Sequence, residues 1–164
     1  MADNISPLVG GNFTFTLHKL NNTTLNLQSV TLPTLSIGEK LITTPVLDYS
    51  IAGDKLQFDR LNMSFIVNDD MSNYDEVFEW LYRMSNPITG KQVKNIKDYT
   101  TDGVLSIFNT KGKKVKEYRF TDCFPVFLGG LQLNTTNTES SHLTCDLGLS
   151  FTLFHDDHKD MTTI

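Results

Sequence analysis

The chain is short of cysteine, of basic charge and of long apolar runs, and each scarcity closes off a class of function. Its two cysteines, Cys123 and Cys145, stand far apart with no C-x-x-C pair, which excludes a disulfide scaffold and a zinc knuckle and fits buried thiols in a reducing compartment. No stretch approaches the roughly 20 apolar residues that a membrane-spanning helix needs. The opening MADNISPLVGGNF lacks a basic segment followed by an apolar core, so no secretory leader is expected. The Asn-X-Ser/Thr triplets at Asn4, Asn12, Asn21, Asn22, Asn62 and Asn134 then read as incidental to an Asn- and Thr-rich chain. With 14 Lys and Arg against 19 Asp and Glu, the net charge is −5. No overall basic field draws in nucleic acid or anionic lipid.

Chemistry-bearing motifs are scarce as well. Lys91 and Lys113 each follow a glycine, but serine at 85 and isoleucine at 107 stand where a phosphate-binding loop needs glycine, and neither lysine precedes Ser or Thr. The cluster His155-Asp156-Asp157-His158 has ligand types close together, yet it falls in an expected C-terminal tail without supporting partners. Cys145 takes its turn on an apolar strand face, where a small buried hydrophobe is the default. Cys123 with His18 or His142 shows no nucleophile signature. Asp69-Asp70 read as a solvated turn that favours a helix start. Lys111, Lys113, Lys114 and Lys116 read as a solvated hairpin without interleaved aromatics to stack on bases. No catalytic residue, cofactor site or metal site is therefore expected, and the chain is read as a non-enzyme.

What is present is period-2 patterning in 164 residues that are 39% hydrophobic and 20% charged, enough for one globular domain over 1–164 with a short flexible N-terminus and a tail over 155–164. Phe13, Phe15 and Leu17 alternate with polar residues, and Asn21-Asn22 predicts a turn into a second strand through Leu25 and Leu27. Leu32-Pro33 interrupts the ladder. Ser36–Gly53 has apolar residues without a period and is read as a long loop. Leu56 and Phe58 begin a strand that continues, past a bulge near Arg60, with Leu61, Met63, Phe65 and Val67 on one face. Ser72, as N-cap, introduces an amphipathic helix over about 72–84, whose stripe Tyr74, Val77, Phe78, Leu81 and Met84 is expected to face the core. Beyond Pro87 and Gly90, GVLSIFN and VKEYRF form a hairpin across 110–113, and Pro125 with Gly129-Gly130 predict a bend. Leu143, Cys145, Leu147, Leu149, Phe151 and Leu153 alternate along one last strand. The fold class is mainly β, a β-sandwich or rolled barrel with one flanking helix.

The ordered segments GDKLQFDRLNMSFIVNDDMSNYDEVFEWLYRMSNPITG, FTDCFPVFLGGLQLN and LTCDLGLSFTLF, with LPTLSIGEKLITTPVLDYSIAGD before them, resemble the tail-tube proteins of contractile-tailed phages and their relatives that initiate the tube on the baseplate. The similarity covers most of residues 12–154. It implies six copies in a ring, with inner strands closing a continuous barrel, rings stacking into a tube, and an architecture shared with type VI secretion tube proteins. It further implies sheath or baseplate proteins as partners, DNA passing transiently through the lumen, no membrane, and a place in the virion tail after assembly in the host cytoplasm. The long loop becomes an arm between subunits, with Leu41, Ile42, Val46, Leu47 and Tyr49 as its contacts. The chain length suits a main tube subunit, whereas the helix and the Cys-Phe-Pro segment look more like the initiator branch. The alternative reading is a monomeric β-barrel that binds an apolar ligand inside. Phe13, Phe15, Phe65 and Phe151 argue against it by filling the interior.

Overall fold

Alternation drives the architecture. The computed structural model describes residues 12–18, 27–90, 92–93, 95–133 and 142–156. In chain order the strands are β1 (Phe13–Leu17), β2 (Leu27–Thr31), β3 (Leu35–Thr43), β4 (Asp48–Phe58) and β5 (Leu61–Ile66). Helix α1 (Ser72–Met84) and the short α2 (Ile96–Tyr99) follow, then β6 (Thr101–Phe108), β7 (Lys114–Leu128), β8 (Thr144–Ser150) and β9 (Leu153–Asp156). Seven strands pair in one folded sheet, in the order β1-β6-β7-β8-β5-β2 with β9 also on β7, while β3 and β4 pair only with each other.

The sheet closes over its own core because β7 bends. Its first half pairs with β6 and β9 and its second half with β8. At the bend β7 carries one extra residue against β6, since Thr101 faces Cys123 while Gly103 faces Phe120. Asp122 takes a φ of 54° there, a left-handed conformation that Asp tolerates better than most residues. The Asp122 amide donates to the Asp102 carboxylate at 3.1 Å, replacing the ladder bond the bulge removes. The inward residues of both halves then meet: Phe15, Leu105 and Phe120 from one side, Leu61, Phe65, Leu147 and Leu149 from the other, all with no exposed surface. Phe15 and Phe120 pack edge to face at 6.2 Å. Gly148 lets the Phe127 ring lie flat across its strand, since a Cβ there would stand 2.1 Å from the ring.

Several expectations need correcting. β1 and β2 do not form a hairpin: β1 pairs with β6 and β2 with β5, and the expected turn at Asn21-Asn22 lies outside the described residues. The run through Leu56 to Phe65 is two strands in different sheets, separated at Asp59-Arg60. The expected final strand is also two, β8 and β9, kinked at Phe151-Thr152 opposite the bulge of β7. The kink reverses parity, so Phe154 and Asp156 turn inward while Leu153 is exposed. His155-Asp156 thus belongs to a strand rather than a tail, and Asp156 accepts from Lys116 Nζ at 2.6 Å. That contact raises the Lys116 pKa.

Helix α1 spans the expected residues but starts differently. Ser72 is its first helical residue, and Asp70, not Ser72, supplies the capping oxygen, accepting from the Ser72 amide at 3.1 Å and its hydroxyl at 2.7 Å. Those bonds hold the Asp70 carboxyl below its usual range. Asn73 pins the helix to β5 by donating to the Ile66 carbonyl at 2.8 Å and accepting from the Asn68 amide at 3.1 Å. Trp80 donates from Nε1 to the Tyr99 carbonyl at 2.7 Å. These polar anchors rotate the helix, so Asn73, Val77 and Trp80 are its buried residues and Phe78 is half open to solvent.

Candidate assembly surface

The residues 36–53 expected as a loop are an antiparallel hairpin, a projecting arm. A residue run that buries neither face has no reason to alternate, which is why its strands lack the period-2 signature. The tip is closed locally. Thr44 accepts at its hydroxyl from the Leu47 amide at 3.1 Å and donates from it to the Leu47 carbonyl at 2.6 Å, and Pro45 supplies the fixed φ of a tight turn. At the root, the Asp59 amide donates to the Thr34 carbonyl at 3.1 Å. The Phe58 ring lies 5.9 Å from Phe151 and 6.2 Å from Phe154, anchoring the arm to the core. Midway, Gly38 and Gly53 pass so closely that a Cβ on Gly53 would sit 2.5 Å from the Gly38 oxygen. The register slips beside that contact, which bends the arm.

The arm carries apolar side chains that the chain itself does not cover: Leu35, Ile37, Leu41, Val46, Leu47, Tyr49, Ile51 and Leu56 are exposed, Val46 by 94% and Leu47 by 65%. The five expected contact residues lie together on it, Leu41 and Ile42 on β3, Val46 and Leu47 at the tip, Tyr49 on β4. Tyr49 directly faces Ile42, which is half-buried. Exposed apolar surface of this kind makes the arm the candidate interaction surface.

A second surface lies along α1. Tyr74, Phe78 and Tyr82 recur at i, i+4 and i+8 on α1 and stack with ring centroids 6.4 and 5.7 Å apart. With Leu81, Ser85, Pro87 and Leu128 they line an open groove of about 310 Å³. Of the stripe expected to face the core, Val77 is buried and Tyr74 and Met84 pack against the core, whereas Phe78 turns half open to this groove. A third surface is the open face of β2, β5 and β8, where Ser29, Thr31, Asn62, Ser64 and Asp146 line a shallow groove of about 260 Å³ with Phe127. Ser64 donates to the Asp146 carboxylate.

Among the described residues, the cysteines and histidines do not come together as a nucleophile and its base. Cys123 is fully buried and burial pushes its thiol up to about 12, while His18 and His142 are exposed. Among the described residues, no group of three or more His, Cys, Asp or Glu could hold a metal ion. Lys114 and Lys116 of the basic hairpin are paired, with Glu117 and Asp156. The interior where a barrel ligand would sit is filled by Phe15, Phe65 and Phe120.

Comparison with known proteins agrees with this shape. The family model described as phage tail tube protein matches residues 14–155. The tail tube terminator protein of Enterobacteria phage T4 is 26% identical over 151 residues, covering 87% of this chain and 85% of that protein. Among solved structures, the sheath/tube terminator of an extracellular contractile injection system superposes with a TM-score of 0.68 at 16% identity, over 93% of this chain and 98% of that one. The tube-terminating cap of the anti-feeding prophage does so with 0.67 at 16% identity, over 94% and 95%. Both likenesses show a shared mainly-β fold.

Proposed function

This chain belongs to the phage tail tube protein family, and from that premise we propose that it is a ring-forming structural subunit that ends the tail tube of a contractile-tailed particle. The observation that carries the assembly reading is the uncovered apolar arm. A monomer that left Leu41, Val46, Leu47 and Tyr49 in water would gain by burying them, and a copy of itself is always at hand. Support for the terminator position comes from the T4 relative, named for that role, and from two solved structures with the same kind of name.

Six copies form the ring in this reading, through the arm contacts Leu41, Ile42, Val46, Leu47 and Tyr49. The tube below and the sheath beside it are the other partners. The hydroxyl- and amide-bearing face of β2, β5 and β8, with Asp146 as an acid, suits a lumen wall past which DNA moves without adhering. The role is passive and needs no cofactor.

Negative-stain electron microscopy with native mass across a concentration series tests this. Rings without long tubes are expected. Long tubes from the pure protein would make it the main tube subunit instead. A monomer at every concentration would overturn the assembly reading.

A further inference from the structure

We propose that the arm tip of one copy seats in the helix groove of the next copy, making a knob-and-socket contact between subunits. This rests on the ring-forming reading and adds to it the identity of the surface that receives the arm. The two surfaces match in character. The tip from Leu41 to Leu47 contains no charged residue, and none of the groove residues Tyr74, Phe78, Leu81, Tyr82, Ser85 and Leu128 is charged. Charges flank both, Lys40 and Asp48 in sequence beside the tip, and Asp75, Glu79 and Arg83 beside the groove residues, with Glu79 and Arg83 paired to each other. An apolar centre inside a polar rim is the usual anatomy of a protein interface.

The tip does not fill its own groove. Within one chain Val46 is 94% exposed and Phe78 49% exposed, so the contact has to be made between copies. Such a contact joins two different patches, and each copy offers one of each. Pairing of this heterologous kind generates a ring where the rotation closes. A tip-to-tip contact would instead stop at a dimer. The knob is also preformed, because the Thr44–Leu47 bonds fix the turn before any partner arrives, which lowers the ordering cost of docking.

The test uses the full chain carrying both Val46→Cys and Ser85→Cys, since the native Cys123 and Cys145 are buried and give little background. On mild oxidation or with a short bis-maleimide, a denaturing gel is expected to show a ladder rising by 18.5 kDa steps. Either single variant should stay at one chain, and a mixture of the two should stop at two. Rings seen by microscopy with no ladder would overturn this contact and leave the ring reading standing. Efficient dimers from Val46→Cys alone would overturn it in favour of tip-to-tip pairing. Absence of rings and ladder alike would overturn both readings. A readout independent of cysteine is charge exchange: Val46→Lys and Phe78→Glu should each raise the concentration needed for ring formation at least tenfold. Their combination should recover most of that loss, and additive damage would refute the contact.

Discussion

Replacing Leu47 by Asp separates folding from assembly. Leu47 keeps 65% of its surface open in the chain. Full burial of a leucine side chain is worth about 1.5–3 kcal/mol, so the part still available to a partner is about 1–2 kcal/mol. Losing it weakens each pairwise contact by about 5–30-fold. An unpaired carboxylate in the same place adds a desolvation cost on top. In the proposed ring every copy donates one arm, so every contact would suffer equally. The fold loses almost nothing, because the turn is held by the Leu47 backbone and the Thr44 hydroxyl. A surface change of this kind stays within about 0.5 kcal/mol, or roughly 2 °C in melting temperature for a chain of this size. Sedimentation velocity over a hundredfold concentration range, beside a thermal melt, reads both quantities. Unchanged ring formation would refute the arm as an interface. A melting loss of many degrees would show instead that the arm is part of the cooperative core.

Asn73→Ala strands the Ile66 carbonyl and the Asn68 amide, and should cost about 1–3 kcal/mol, seen as a melting temperature lower by about 2–10 °C; no shift would deny Asn73 its anchoring role. Gly53→Ala places a methyl group 2.5 Å from the Gly38 oxygen, so ring formation should fall while the core melts within about 2 °C of the parent. The Cys123 thiol, pushed up to about 12 by burial, should ignore a thiol reagent at pH 8 until the chain is unfolded, and rapid reaction of native protein would contradict its burial. The raised value also sets a sign. The stability linked to this thiol is intact below its unfolded value, about 8.5, and is lost as pH climbs from there towards 12. Denaturant midpoints should therefore decline across that window, and a rising midpoint would reverse the argument.

Burial leaves its mark on a sequence only where a strand has an inside and an outside. Leu61, Met63 and Phe65 on β5, and Cys145, Leu147 and Leu149 on β8, alternate because one face meets the core, and those strands were legible. The β6–β7 hairpin was legible too, with Gly112 at a φ of 74° in its turn. The arm was not legible as an element, since adjacent Leu41-Ile42 and Val46-Leu47 follow no period. The pairing of β1 with β6 joins residues 13–17 to 103–107, and no local pattern announces so distant a partner. The parity change before β9 was hidden because Leu153 and Phe154 are both apolar. On α1, hydrophobicity alone could not see that an asparagine and an indole N–H would choose the buried face.

The bent strand β7 has a mechanical consequence. Its backbone runs unbroken from the β6–β9 side of the sheet to the β8 side. A force that pulls one side away from the other therefore crosses the bend along the β7 backbone and reaches that backbone through the β6, β9 and β8 ladders. The hydrogen-bonded seams on either side of the bend lie in series with that peptide chain, so they and not the bend are the links that yield first.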